Sequence, residues 1–187
     1  HMCGNGIFEK RDTQLFSYMV KVDKVPGLDD VSESIELKLP KVDWRIFLQI
    51  IAFFRLVYLK YKSEAMIQLY WNPKTKHYYL YVPVQVVSAG HVSFTNRKNE
   101  QDDQKVMDAH CHGDGGAFFS GVDDGDEKEN KLYMVVGKIT EAPDVKVRAV
   151  CSGAEIELDV SDIFELETQI PLDWLAKVKP EPEKNLQ

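Results

Sequence analysis

One long apolar segment constrains the fold more than any other feature of the chain. The run IFLQIIAFFRLVYL, residues 46–59, is interrupted only by Gln49 and Arg55. It is shorter than the roughly 20 apolar residues that cross a bilayer, and its length favours a buried helix over a strand. We expect Asp43 to cap this helix and the helix to continue through Tyr58 or slightly beyond. Because apolar positions cover most of its circumference, we expect it to pack on more than one neighbour.

Segments with the composition of strands lie on both sides of this helix. Val, Ile and Tyr dominate, or apolar and polar residues alternate, in 14–22, 34–40, 65–71, 77–88, 91–94, 106–112, 131–139, 145–151 and 154–167. The regular strand–helix alternation of a doubly wound parallel sheet is missing. The chain therefore predicts an α/β (α+β) fold with a mixed, mostly antiparallel sheet and one long early helix. A helical turn is expected at 171–178, followed by a polar tail.

Charge and cysteine usage narrow the possible partners and compartments. The net charge is −7, which argues against nucleic acid, because binding to phosphates needs Lys and Arg. It argues equally against an anionic membrane surface. The three cysteines, Cys3, Cys111 and Cys151, are odd in number and widely scattered, so we expect no disulfide framework and a cytoplasmic location. The first residues lack the basic and apolar regions of a signal peptide.

The stretch DAHCHGDGGAFFSGVDD, residues 108–124, concentrates the residue types that carry chemistry. If the chain is extended there, His110 and His112 point to one face and Cys111 to the other. This geometry suits two ligands of one metal ion, whereas a thiolate on the opposite face cannot share a proton with either imidazole ring. The glycines match neither GxxxxGK[ST] nor GxGxxG, so a phosphate loop is not indicated.

A catalytic zinc site needs three protein ligands and one open position. Two come from His110 and His112, and the glycines permit a turn that could bring back Asp123 or Asp124 as the third. Paired histidines in a half-buried strand are also often satisfied by ordinary hydrogen bonds. From the residues alone, a metal site and a plain polar loop therefore both stay open.

The spacing from His110 to Asp123 fits the pattern H-x-H-x7-S-x-x-D, with Ser120 as its serine. This pattern resembles the signature of the JAMM/MPN (JAB-domain) zinc metallopeptidases, particularly their prokaryotic branch. That family also has a glutamate upstream, after the first helix, and Glu64 stands at the corresponding place. The residue between the histidines is usually Ser or Thr in the family and is Cys111 here; because it points away from the metal face, we expect the change to be tolerated.

The resemblance implies a role for each matching residue. His110, His112 and Asp123 would bind one Zn²⁺, with a water in the fourth position. Glu64 would act as general base and then protonate the leaving nitrogen, and Ser120 would donate a hydrogen bond to the oxyanion. The implied fold is the cytidine-deaminase-like JAB/MPN architecture over residues 41–175. Residues 1–40 would form an N-terminal extension of strands that joins or flanks this domain, and 176–187 the polar tail.

Three functions follow as hypotheses. The first is a zinc-dependent isopeptidase or peptidase that cleaves a ubiquitin-like or sulfur-carrier conjugate at its C-terminus. The second is a binding or scaffold module of the MPN type, as in members of the wider group that lack the metal ligands. The third is a zinc amidohydrolase that acts on a small molecule, which a small enclosed pocket would favour over a broad groove.

Overall fold

The computed structural model describes residues 1–23, 29, 31–95, 103–121, 123, 127–166, 174 and 177–178. Its helices are α1 (Trp44–Tyr61) and α2 (Val160–Ile163). Its strands, in chain order, are β1 (Met2–Cys3), β2 (Gly6–Asp12), β3 (Phe16–Asp23), β4 (Ser34–Leu37), β5 (Val42–Asp43), β6 (Met66–Asn72), β7 (His77–Tyr81), β8 (Gln85–Ser88), β9 (His91–Phe94), β10 (Gln104–Cys111), β11 (Lys131–Gly137), β12 (Asp144–Cys151), β13 (Ala154–Leu158) and β14 (Phe164–Glu165).

A six-stranded sheet with the order β13-β12-β11-β10-β6-β7 forms the centre of the molecule. Its pairs are antiparallel except for β10 with β11, which run parallel. The strands β6 and β11 are almost entirely buried, as expected for strands covered on both faces. The fold is therefore mixed α/β with mostly antiparallel sheets and one long helix, which confirms the coarse prediction.

The helix α1 begins and ends where local chemistry dictates. The carboxylate of Asp43 accepts a hydrogen bond from the backbone N–H of Arg45 at 2.8 Å, which caps the first turn. The helix ends at Lys62, whose backbone is left-handed with φ 51° and whose N–H donates to the carbonyl of Tyr58. One face packs into the core, where Ile50 and Phe54 are completely buried.

The opposite face of α1 corrects the expectation of burial around most of the helix. Trp44, Leu48, Leu56 and Leu59 are all at least half exposed. Their apolar character predicted contacts, but the sheet can cover only one side of a helix that lies on it. The apolar composition therefore overestimates the burial of α1.

An N-terminal four-stranded sheet, β1-β2-β3-β4, packs onto the same core. Phe16 and Tyr18 on β3 belong to one buried cluster with residues of α1 and the central sheet. The hydroxyl of Tyr18 also hydrogen-bonds with that of Ser152 at 2.8 Å. The two sheets share this core. The predicted boundary at residue 40, between an N-terminal extension and the main domain, therefore stays a prediction.

One further prediction is refined. The segment 77–88 was expected as one strand, but it is interrupted around Pro83 and forms β7 and β8, because proline cannot donate to the ladder. β8 pairs with β9 in a separate hairpin. The expected turn at 171–178 and the tail at 176–187 lie largely outside the described residues. No helix among the described residues is long and apolar enough to cross a membrane.

Candidate metal centre

The end of β10 carries the two histidines to one side of the central sheet. After β10 the chain stays extended between its neighbours, because Cys111 N–H donates to Ala65 O at 3.1 Å and His112 N–H donates to Val136 O at 2.9 Å. The Nε2 atoms of His110 and His112 are 3.1 Å apart. Cys111 points to the opposite face and is completely buried. Burial raises the pKa of its thiol to about 11, which disfavours a role as nucleophile at neutral pH.

The glycine-rich segment after His112 folds back against the sheet. The backbone N–H groups of Lys138 and Ile139 donate to the carbonyls of Gly115 and Gly113 at 2.7 and 2.9 Å. Gly113 has a φ of 58° and lies against the ring of Tyr58, where a side chain would collide with the ring. This position needs glycine for both its conformation and its space. The tight return brings Ser120 and Asp123 to the histidines.

Asp123 divides its two carboxylate oxygens between the histidines and Ser120. Its Oδ1 lies 3.5 Å from Nε2 of His110. Its Oδ2 accepts hydrogen bonds from the backbone N–H of Ser120 at 2.6 Å and from the Ser120 hydroxyl at 2.7 Å. In this arrangement Ser120 orients Asp123 directly. Asp124, the alternative third ligand, lies outside the described residues.

Two of the three separations between the ligand atoms are close to those of a tetrahedral ion. Two ligands bound about 2.0–2.1 Å from such an ion lie about 3.3 Å from each other. The observed separations of 3.1 Å between the imidazoles and 3.5 Å between His110 and Asp123 bracket that value. All three ligand atoms lie within 4.8 Å of one another. The donor set of two imidazoles and one carboxylate fits zinc.

The protonation of the histidines also favours ligation. Burial lowers the pKa of His110 to about 4, although the charge of Asp123 acts in the opposite direction. His110 is therefore neutral at physiological pH, which is the form that binds metals. The Nδ1 atom of His112 lies 3.3 Å from the carbonyl of Gly116. An Nδ1–H donated to this carbonyl leaves Nε2 free for the metal.

Glu64 lies in the short link between α1 and β6. It lines the same cavity as His110, His112, Ser120 and Asp123, with a volume of about 630 Å³. Burial, together with the charge of Asp123, raises the pKa of Glu64 to about 7. A carboxylate with such a pKa can both accept and release a proton near neutral pH. The structure thus brings together all five residues singled out in the sequence.

The phenylalanines after the glycines have different surroundings. Phe118 is more than half exposed, and its ring stands edge-on to the His112 ring at 4.7 Å. Phe119 instead lies against the guanidinium of Arg148, whose central carbon is 3.9 Å from the ring centre. One ring therefore lines the cavity and the other anchors the loop.

Arg148 was not predicted as a functional residue, yet it holds the loop that carries Ser120 and Asp123 on both sides. Its guanidinium stacks on Phe119, which precedes Ser120, and forms ion pairs of 2.7 Å with Glu127 and 2.6 Å with Glu155. The backbone N–H of Glu127 donates to the carbonyl of Asp123 at 2.8 Å. In the sequence, the available signal was a single cation in the otherwise apolar second half of β12. In the structure, Arg148 is 97% buried.

A second polar group adjoins the site and was also missed. Gln68, Asp108 and Lys131 are buried on neighbouring central strands, and the last two line the cavity. Asp108 precedes His110 by two residues and therefore lies on the same face of β10. Its place within a sequence of apolar residues was the only local indication.

Comparison with known proteins adds no assignment. No protein-family model matches this chain, and no curated protein matches it in sequence.

Proposed function

We propose that the protein is a zinc-dependent peptidase or isopeptidase related to the JAMM/MPN (JAB-domain) metallopeptidases, with their cytidine-deaminase-like architecture. One observation carries the proposal. The ligand atoms of His112 and Asp123 lie 3.1 and 3.5 Å from Nε2 of His110, close to the separations of a tetrahedral site, and Glu64 lines the same cavity. The spacing of these residues with Ser120 in the sequence supports the same family.

His110, His112 and Asp123 would hold the ion, and Arg148 and Ser120 would keep Asp123 in place. A bound zinc ion would supply Lewis acidity, which polarises a carbonyl and makes water acidic near pH 7. Glu64 would take a proton on its carboxylate and deliver it to the departing amine. With its pKa raised to about 7 by burial, it is suited to both steps.

The proposed substrate is a protein or peptide, with a ubiquitin-like or sulfur-carrier protein carrying a C-terminal extension as the first to test. The proposed location is the cytoplasm. All three cysteines are free, which agrees with a reducing compartment.

Metal analysis combined with matched variants tests the proposal. We expect about one zinc per chain in the purified protein and in Glu64→Gln, because Glu64 is outside the ligand set. His110→Ala should lose the metal. On a ubiquitin-like fusion, Glu64→Gln should lower kcat by roughly 10²–10⁴-fold, the usual contribution of a general acid–base. Full activity in Glu64→Gln, or purified protein that binds no zinc, contradicts the proposal.

A zinc amidohydrolase acting on a small molecule is the second candidate. The cavity volume of about 630 Å³ falls within the range of sites for small ligands. Hydrolysis of N-acyl amino acids or amides that depends on Glu64, with no cleavage of protein substrates, would favour this alternative.

A further inference from the structure

A pair of lysines faces the cavity beside the metal site. Lys105 on β10 and Lys131 on β11 both line the cavity that contains His110 and Glu64. Strand geometry places Asp108, which binds both lysines, about 7 Å along β10 from His110. We call Lys105 and Lys131 the lysine pair.

Two carboxylates contact the lysine pair. Oδ2 of Asp108 lies 2.5 Å from Nζ of Lys131 and 3.5 Å from Nζ of Lys105. Oε2 of Glu129 lies 2.6 Å from Nζ of Lys131 and 3.3 Å from Nζ of Lys105. Each carboxylate therefore bridges both ammonium groups with a single oxygen.

The two carboxylates differ in how firmly they are held. The side chain of Asp108 is 9% exposed, and its Oδ1 also accepts a hydrogen bond from Gln68 at 3.0 Å. The side chain of Glu129 is 66% exposed. Asp108 is therefore a fixed part of the wall, whereas Glu129 reaches the lysine pair from the solvent side.

Charge balance shows what the buried part of this group lacks. The side chains of Lys131, Lys105 and Asp108 are 6%, 19% and 9% exposed, and together they carry one excess positive charge. Glu129 supplies the missing anion. Its hydrogen bond with Lys131 also lowers the pKa of Glu129, so the carboxylate stays ionised on the lysine pair.

We propose that the lysine pair binds a carboxylate of the substrate, which takes the place of Glu129. The ligand class is a peptide or acyl-amino acid whose anionic group, an acidic side chain or a C-terminal carboxylate, lies one or two residues from the scissile bond. Partly buried ammonium groups form stronger bonds to a carboxylate than exposed lysines do. That the ligand is a substrate rests on the proposed hydrolytic function, whereas its binding does not.

Binding of two small probes tests the site without turnover. The probes are N-acetyl-glutamate α-amide and its neutral isostere N-acetyl-glutamine α-amide, titrated calorimetrically at pH 7 into the zinc-loaded protein. We expect Glu129→Gln to bind the anionic probe at least tenfold more tightly than the wild type, because the competing carboxylate is gone. Its affinity for the neutral probe should stay unchanged.

Two further variants separate the lysine pair from other binding modes. In the Glu129→Gln background, Lys105→Gln should lower the affinity for the anionic probe at least tenfold. The control Lys146→Gln, which replaces an exposed lysine on β12, should leave that affinity unchanged. Thermal melting verifies that each variant is folded. Equal affinity for the two probes in Glu129→Gln overturns the proposal. So does binding that is insensitive to Lys105→Gln, as a carboxylate bound to the metal would be.

The two proposals fail in different ways. Selective binding of the anionic probe without any hydrolysis would support the carboxylate-binding site and contradict the proposed peptidase function. Hydrolysis that depends on Glu64, with no preference between the probes, would support the peptidase and overturn the carboxylate site.

Discussion

Gly137, the last residue of β11, is the point where the central sheet meets the glycine-rich loop. A Cβ atom at this position would overlap the backbone atoms of Gly115, Gly116 and Ala117, far inside the van der Waals contact distance. Ordinary carbon contacts are about 3.5–4.0 Å. Because the obstructing atoms all belong to backbone, no side chain can rotate to relieve the collision. We therefore predict that Gly137→Ala displaces the loop from the sheet.

The cost follows from the contacts that hold the loop there. The bonds from Lys138 N–H to Gly115 O and from Ala117 N–H to Asp144 Oδ2, 2.7 and 3.3 Å long, would both be strained or lost. A hydrogen bond contributes about 1 kcal/mol, and overpacking costs about 1–3 kcal/mol. We expect Gly137→Ala to lower the free energy of unfolding by about 2–4 kcal/mol. Because the same loop carries Ser120 and Asp123, zinc affinity should fall as well.

Urea unfolding followed by circular dichroism measures the stability, and zinc titration against a chromophoric chelator measures the affinity. Gly90→Ala is the matched control, since a Cβ there meets no atom within 4 Å, and it should change stability by less than about 0.5 kcal/mol. If Gly137→Ala unfolds at the same urea concentration as the wild type and binds zinc equally well, the close approach of loop and sheet does not hold.

Four other substitutions test separate parts of the structure. Cys111→Ala should leave zinc content unchanged and cost about 1 kcal/mol of stability through the small cavity it leaves; a loss of zinc would place the cysteine at the metal. Asp108→Ala should cost about 3–5 kcal/mol of stability, because it removes the buried partner of Lys131 and leaves the lysine pair with a single exposed carboxylate. Truncation of the exposed Glu129 should cost less than about 1 kcal/mol, and equal losses would contradict the difference in burial. The Arg45 hydrogen bonds lower the pKa of Asp43 to about 2, below its ordinary value, so its contribution is complete above about pH 4. The difference in unfolding free energy between wild type and Asp43→Asn should therefore shrink as the pH falls from 4 to 2. Because Asn also caps helices, a constant difference would refute the contribution of the ionised bonds from Asp43 to Arg45.

Part of the candidate site could be predicted because it depends only on local geometry. Side chains alternate across an extended chain, so His110 and His112 had to share a face and Cys111 had to take the other. Such features extend over a few residues, and the backbone conformation alone determines them.

Other parts of the site depend on strands that are distant in sequence. The order β11-β10-β6 brings Lys131 beside Asp108 and places Gln68 on its other side. No local pattern specifies which strands become neighbours. The anchoring of the loop by Arg148 has the same origin, because β12 takes its place in the sheet by pairing with β11 and β13.

The sequence by itself determined the long helix, the strand-rich α/β class and the two histidines on one face, because these follow from the periodicity of side chains along a single element. The residues alone also left open both a metal site and a plain polar loop. Only the tertiary structure decided that Asp123 lies 3.5 Å from His110, that Glu64 lines the same cavity, and that one side of α1 is exposed. The reason is that distances between remote residues are set by the packing of the whole core.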